Sequence, residues 1–181
     1  MQKLLVNAKT VETQIVKIIN MKDVKDVKDV VIFDLDGTLA DIEPRRRLAT
    51  KDTGKIDWDI FFDPANISLD LPNQPVIEMA KTLDAQGFTI VIFSGRSKAT
   101  KDATAAWMKK HNVPFNIMKM RPTGHPWAFM PDEKLKKGWL DDIFEGDQKD
   151  RILCVFDDRD KVVKMWRENG LSCFQVAPGN F

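Results

Sequence analysis

With two cysteines in 181 residues, no long apolar run and almost no net charge, the sequence excludes several classes of protein before any motif is read. Cys154 sits inside an apolar run and Cys173 lies near the C-terminus, a pattern of reduced core thiols rather than of a disulfide framework. No stretch approaches the ~18 consecutive apolar residues of a membrane span. The first twenty residues alternate apolar and polar side chains and lack the apolar core and small-residue cleavage site of a signal peptide. The 28 basic and 27 acidic side chains nearly cancel, so any grip on nucleic acid must come from local clusters rather than overall charge. These absences predict a soluble cytoplasmic protein with no membrane partner, and they are silent on oligomeric state. What remains is ordinary globular composition, 43% hydrophobic and 30% charged, at a length that suits one domain with a small insert.

Four short apolar runs read as buried strands: Val30–Leu35, Thr89–Ser94, Arg151–Phe156 and Ser172–Ala177. Phe115–Met120 is a weaker fifth. All are rich in β-branched or aromatic residues and apolar on both faces, as parallel strands covered by helices are. Helical spacing fills the gaps. Pro75–Gln86 puts Val76, Met79, Ala80 and Leu83 on one stripe, and Lys98–His111 does the same with Ala103, Ala106, Trp107 and Lys110. Asp132–Phe144 and Asp160–Asn169 follow. The alternation predicts an α/β domain with a mainly parallel sheet. Residues 1–29 read as a charged lead-in ending in three Lys-Asp-Val repeats, and 30–181 as the domain. Residues 40–74 form an insert without clear periodicity, a length uncommon in a connection unless it is functional.

The strand ends carry the chemistry. Side chains two apart on a strand face the same way, so Asp34 and Asp36 are predicted to project together where the first strand ends. Paired carboxylates at one edge are costly unless a cation lies between them or one is protonated. In open α/β sheets, ligands bind at this carboxyl edge. Asp157 and Asp158 end the third strand in the same way. A helix N-cap accounts for Asp158 and leaves the other unexplained, and hard oxygen ligands from two strand ends suit Mg²⁺. Ser94-Gly95-Arg96 ends the second strand with a hydroxyl, a close-approach glycine and a helix start just beyond, the parts of an anion cradle.

These residues resemble a known family. Val31–Leu39 (VIFDLDGTL) resembles the first motif of the haloacid dehalogenase superfamily of phosphatases. Ser94-Gly95 is similar to the second, a lysine in Lys134–Lys137 to the third and Asp157-Asp158 to the fourth. The resemblance implies a Rossmann-like three-layer fold with a central parallel sheet and a small cap insert after the first motif strand. It implies Asp34 as nucleophile, forming an aspartyl-phosphate, and Asp36 as general acid and then base. The Asp34 carboxylate, the Asp36 backbone carbonyl and Asp157 would hold Mg²⁺, with Asp158 in the catalytic set. Ser94 and one lysine would neutralise phosphoryl oxygens. Lys136 fits best because a lysine three residues before Trp139 resembles the family spacing; Lys134 and Lys137 are the alternatives. An ordinary aspartate is ionised at pH 7, so Asp34 is expected to need no base, whereas Asp36 must be protonated when it acts as acid.

The C-terminus is more specific. Phe156–Phe181 resembles the end of the phosphatase domain of phage polynucleotide kinase/3′-phosphatases, in the pattern DDR…VV..WR..G..C.QVA.G.F. That family removes 3′-phosphates from nucleic-acid ends and can act on nucleoside 3′-phosphates. Thr38, Gly95, Arg96 and Arg159 then become candidates for substrate contacts, the two arginines having salt bridges with nearby aspartates as the alternative. The two-domain members carry a kinase with a G-x-x-x-x-G-K-[ST] loop, which these 181 residues lack, so 5′-kinase activity is not expected. The substrate expected is a phosphorylated nucleic-acid end. A (deoxy)nucleotide monophosphatase and a non-catalytic end-binding module are the other readings. In the insert, Trp58 and Phe62 either stack a base or pack the insert onto the domain. His125 is an ordinary loop residue, and His111 a C-terminal helix charge.

Overall fold

The computed structural model describes residues 27–179, so most of the expected lead-in lies outside it. Five strands, β1 (Val30–Phe33), β4 (Thr89–Ser97), β5 (Ile117–Arg121), β6 (Ile152–Asp157) and β7 (Cys173–Gln175), form a parallel sheet in the order β5-β4-β1-β6-β7. β1 is central, and its four residues are fully buried because both faces are covered. Val30 and Ile32 face Trp139 and Leu140 of α5 (Asp132–Ile143) and Val162 and Trp166 of α6 (Asp160–Glu168). Val31 and Phe33 face Val76, Ile77 and Ala80 of α3 (Gln74–Ala85) and Trp107 and Met108 of α4 (Lys101–Lys110). The period-two alternation of a strand thus divides one apolar run between two cores, producing three layers.

Two helices differ from the stripes read in the sequence. On α4 the buried residues are Thr104, Trp107 and Met108, while Ala106 and Lys110 are exposed. The stripe is turned because the Trp107 indole donates to the backbone carbonyl of Asp70 at 2.8 Å. On α3 Ile77 is buried in place of Met79, which is 46% exposed. His111 does not serve as a helix-end charge. It packs on Trp107, and burial, with Lys110 beside it, pushes its pKa down, so the imidazole is neutral at pH 7.

The insert holds two short strands, β2 (Ala40–Asp41) and β3 (Leu71–Pro72), paired antiparallel, and two short helices, α1 (Glu43–Ala49) and α2 (Trp58–Phe61). The Asp57 side chain caps α2 by accepting from the amides of Asp59 and Ile60. Asp29, at the end of the expected lead-in, already belongs to the domain: its carboxylate accepts from Arg151 at 2.9 and 2.6 Å, and its carbonyl from the Thr89 amide. No helix among the described residues is long and apolar enough to cross a membrane. Both cysteines are unpaired.

Candidate active site

β1 stops at Phe33, one residue short of Asp34. The Asp34 amide still donates to the carbonyl of Phe156 at 2.9 Å, and the carbonyl of Leu35 then accepts from the amides of Thr38 and Ala40, which closes a turn. Beyond that turn the two aspartates predicted to project together line the same cleft but take different partners. The Asp34 carboxylate points to Lys136 of α5, whose ammonium donates to Asp34 Oδ1 at 2.6 Å and to Asp157 Oδ2 at 2.8 Å. Lys136 is only 3% exposed, whereas Lys134 is exposed and Lys137 pairs with Asp141 at the surface. Trp166, absent from the expected site, donates its indole N–H to Asp157 Oδ2 at 3.1 Å.

Asp34, Asp157 and Asp158 each offer an oxygen within 4.8 Å of the others, all buried, against the one lysine. Burial and the carboxylates of Asp157 and Asp158 push the Asp34 pKa well up, against the pull of Lys136. Asp158 is pushed up to about 6, by burial and by Asp157. Its carboxylate lies against Gly37, where a Cβ would come within 2.1 Å of Asp158 Oδ2 and where φ is +85°. Only glycine meets both demands. Asp158 is therefore more than the helix N-cap alternative: Arg159 occupies that position on α6.

Asp36 belongs to a second buried cluster. Arg96 Nε donates to its Oδ1 at 2.6 Å and Arg45 Nη2 at 3.2 Å. Both arginines also bind Asp70, Arg45 through Nε at 2.8 Å and Arg96 through Nη2 at 2.5 Å. Burial alone would raise the Asp36 pKa, but the two guanidiniums outweigh it and hold the carboxyl below its usual range. Asp36 is thus ionised here, contrary to the protonated form needed for an acid. Arg96 is 1% exposed and consumed by these partners, so it is not a substrate contact in this arrangement. Arg45 and Asp70 were not picked out from the sequence, since 25 residues separate them and neither sits in a motif.

Of the remaining candidates, Ser94 is fully buried and its Oγ accepts from the Arg96 amide at 3.2 Å. β4 runs on to Ser97, past an irregularity between Ser94 and Ser97, and α4 begins only at Lys101. A 3₁₀ turn at Lys98–Thr100 leads into α4, so helical structure begins at the expected Lys98. Thr38 is buried with its hydroxyl unpartnered. Gly95 lines the cleft, and a Cβ there would meet Asp132 Oδ1 at 2.8 Å. Arg159 also lines it and pairs with Asp132. His125 is exposed in its loop.

Asp34, Asp36, Asp157 and Asp158 open onto a cleft of about 820 Å³, walled by the insert and by residues 121–131. This volume is in the range of small-molecule sites and far exceeds a phosphate alone. A five-stranded parallel sheet with acidic strand ends, a buried lysine and an insert after the first strand is the arrangement of a phosphatase of the haloacid dehalogenase superfamily. Within it, the chain belongs to the family of polynucleotide kinase PNKP phosphatase domains, whose model matches residues 28–181. A chain in the structure of the Pnkp1/Rnl/Hen1 RNA repair complex is 30% identical with a TM-score of 0.67, over 87% of this chain and 45% of that one. A chain in a second structure of the Pnkp1/Rnl/Hen1 complex is 30% identical with a TM-score of 0.66, over 87% and 49%. The protein thus spans about half the length of these relatives. The class C acid phosphatase of Bacillus anthracis shares the fold at 18% identity and a TM-score of 0.56, over 96% of this chain and 76% of that one.

Proposed function

We propose that the protein is a Mg²⁺-dependent phosphomonoesterase that takes the 3′-phosphate of nucleic-acid ends onto Asp34. The observation that carries the reading is the buried Asp34 carboxylate, hydrogen-bonded to Lys136 and crowded by Asp157 and Asp158 at the edge of the sheet. The family match and the two relatives from an RNA repair complex support the nucleic-acid end as substrate.

The residues fit a divalent cation. Three buried carboxylates lie together with one ammonium bound to two of them, and hard oxygen donors are what Mg²⁺ takes. Asp34, Asp157 and the Asp36 carbonyl would hold it, with Asp158 within reach. Bound there, the cation would neutralise phosphoryl oxygens and lower the Asp34 pKa. An Asp34 oxygen bonds to phosphorus as the bond to the 3′ oxygen breaks, and the leaving oxygen takes a proton from Asp36. Water then attacks phosphorus, returns a proton to Asp36 and releases Asp34 with inorganic phosphate. The Arg45 and Arg96 guanidiniums favour the ionised Asp36 of the second half. The arriving phosphate dianion works against them and raises its pKa for the first.

Phosphate release from a 3′-phosphorylated oligonucleotide and from free mononucleotides tests the reading. Release from the oligonucleotide should require Mg²⁺ and fall at least about a thousandfold in Asp34→Asn. A preference for free nucleotides by orders of magnitude in kcat/KM would overturn the substrate, and activity surviving Asp34→Asn the nucleophile. No release from either leaves an end-binding module.

A further inference from the structure

Two large aromatic side chains in the cleft leave much of their surface in water. Trp58, at the start of α2, is 59% exposed, and Phe129, in the short 3₁₀ turn 127–129, is 82% exposed. Both line the cleft that contains Asp34, one from each wall. Apolar rings of this size are ordinarily withdrawn from water when packing allows.

The Trp58 ring is held by its neighbours. Trp58 stacks on Phe62 with centroids 5.6 Å apart and planes 20° apart, and meets Phe61 edge-on at 5.6 Å. Phe61 is 8% exposed and lies 4.4 Å beneath the guanidinium carbon of Arg45, the arginine bound to Asp36 and Asp70. The pile is therefore anchored to the charged cluster beside the site. In the other wall, Arg121 donates to the carbonyls of Trp127 at 2.8 Å and Met130 at 2.6 Å while pairing with Asp132 of α5. Trp58 is thus set in place before a ligand arrives, and the turn that carries Phe129 is braced at its backbone, which lowers the ordering cost of binding.

We propose that Trp58 and Phe129 are specificity-determining residues that take the terminal nucleobase of the substrate by stacking while its phosphate reaches Asp34. This rests on the phosphatase reading above and adds the part of the substrate that the cleft walls recognise. A base presents a flat π face, which these rings match. A sugar presents hydroxyls, which Trp58, Phe62 and Phe129 would leave without partners. Because a π face is common to all bases, the site is tolerant of base identity and intolerant of base removal.

Binding to the Asp34→Asn protein tests this without turnover. The probes are a 3′-phosphorylated trinucleotide with a 3′-terminal thymine and the same molecule with a base-free sugar at that position, both titrated by anisotropy. The base is expected to improve affinity about tenfold, within what stacking one base on an aromatic ring supplies. Trp58→Ala and Phe129→Ala should each shrink that ratio, the double variant should bring it near one, and Trp58→Phe should keep most of it. A ratio near one in the Asp34→Asn parent, or one untouched by the double variant, overturns the proposal. Phosphate release by the unsubstituted protein is read separately. A base-dependent ratio without release would sink the reaction and leave the base site standing, whereas release without a ratio would do the reverse.

Discussion

Two clusters of buried charge sit side by side in this molecule and differ in balance. In the cluster around Asp36 and Asp70, two arginines answer two aspartates, and all but Asp36 are at most 2% exposed. Around Asp34, three carboxylates lie together and one lysine pairs with two of them, Asp34 and Asp157. A buried ionic group is tolerated when it is paired and hydrogen-bonded. The first cluster meets that condition with its own side chains and ties α1 of the insert to β4 and to the loop after β1. The second has more carboxylates than cations of its own, which is the imbalance that the proposed cation and phosphoryl group would answer. Balance distinguishes a clamp from a site.

Removing one partner from each cluster is the sharpest way to break this contrast. Arg45→Ala leaves Asp70 and Asp36 short of a cation and should cost about 3–5 kcal/mol of stability, the loss typical of breaking a buried pair. Thermal melts with and without Mg²⁺ should show the same loss. Lys136→Met should cost about 3 kcal/mol in chelator, but Mg²⁺ should recover most of it, because a cation can serve the same carboxylates. Equal insensitivity of both variants to Mg²⁺ would erase the distinction between the clusters.

Asp158 offers a subtler handle. Its pKa in the fold is raised to about 6, above the usual value of an aspartate, so protonation favours the folded state. In chelator the protein should therefore gain stability as pH falls from about 6 towards 4, and the gain should be complete below the unfolded value. Asp158→Asn should flatten that slope and be about 1–3 kcal/mol more stable than the parent at pH 7, read from melts across the range. The smallest effect belongs to Trp166→Phe, which removes the indole hydrogen bond to Asp157. About 1 kcal/mol of stability should go, with the Mg²⁺ midpoint of activity rising about tenfold because a neighbour that orients a metal ligand is lost.

Much of this was legible in the chain. Asp34 and Asp157 follow runs of β-branched and aromatic residues directly, so their place at strand ends could be read from local pattern. Lys136 was favoured among three lysines by its resemblance to a motif, and its burial between Asp34 and Asp157 shows what that spacing sets up: α5 turns this position, and not 134 or 137, towards the sheet. The register of α4 was misread because a buried polar residue, Thr104, replaced an apolar one, and Ala106 was apolar but exposed. Asp34 and Asp36 both reach the cleft but bind different cations, Lys136 and the two arginines, because the strand ends before either residue and alternation has no force in a turn.

The sequence by itself determined the layered α/β fold, the order of its sheet-forming runs and the carboxylates at the strand ends, because these depend on periodicity and on motifs within a few residues. Only the tertiary structure decided which charges meet. Arg96 and Asp36 are 60 positions apart, and Lys136 and Asp34 are 102 apart. No local pattern encodes such pairs. They form because the parallel sheet brings β1, β4 and β6 side by side and ends them at one edge, where side chains distant in the chain share a low-dielectric space.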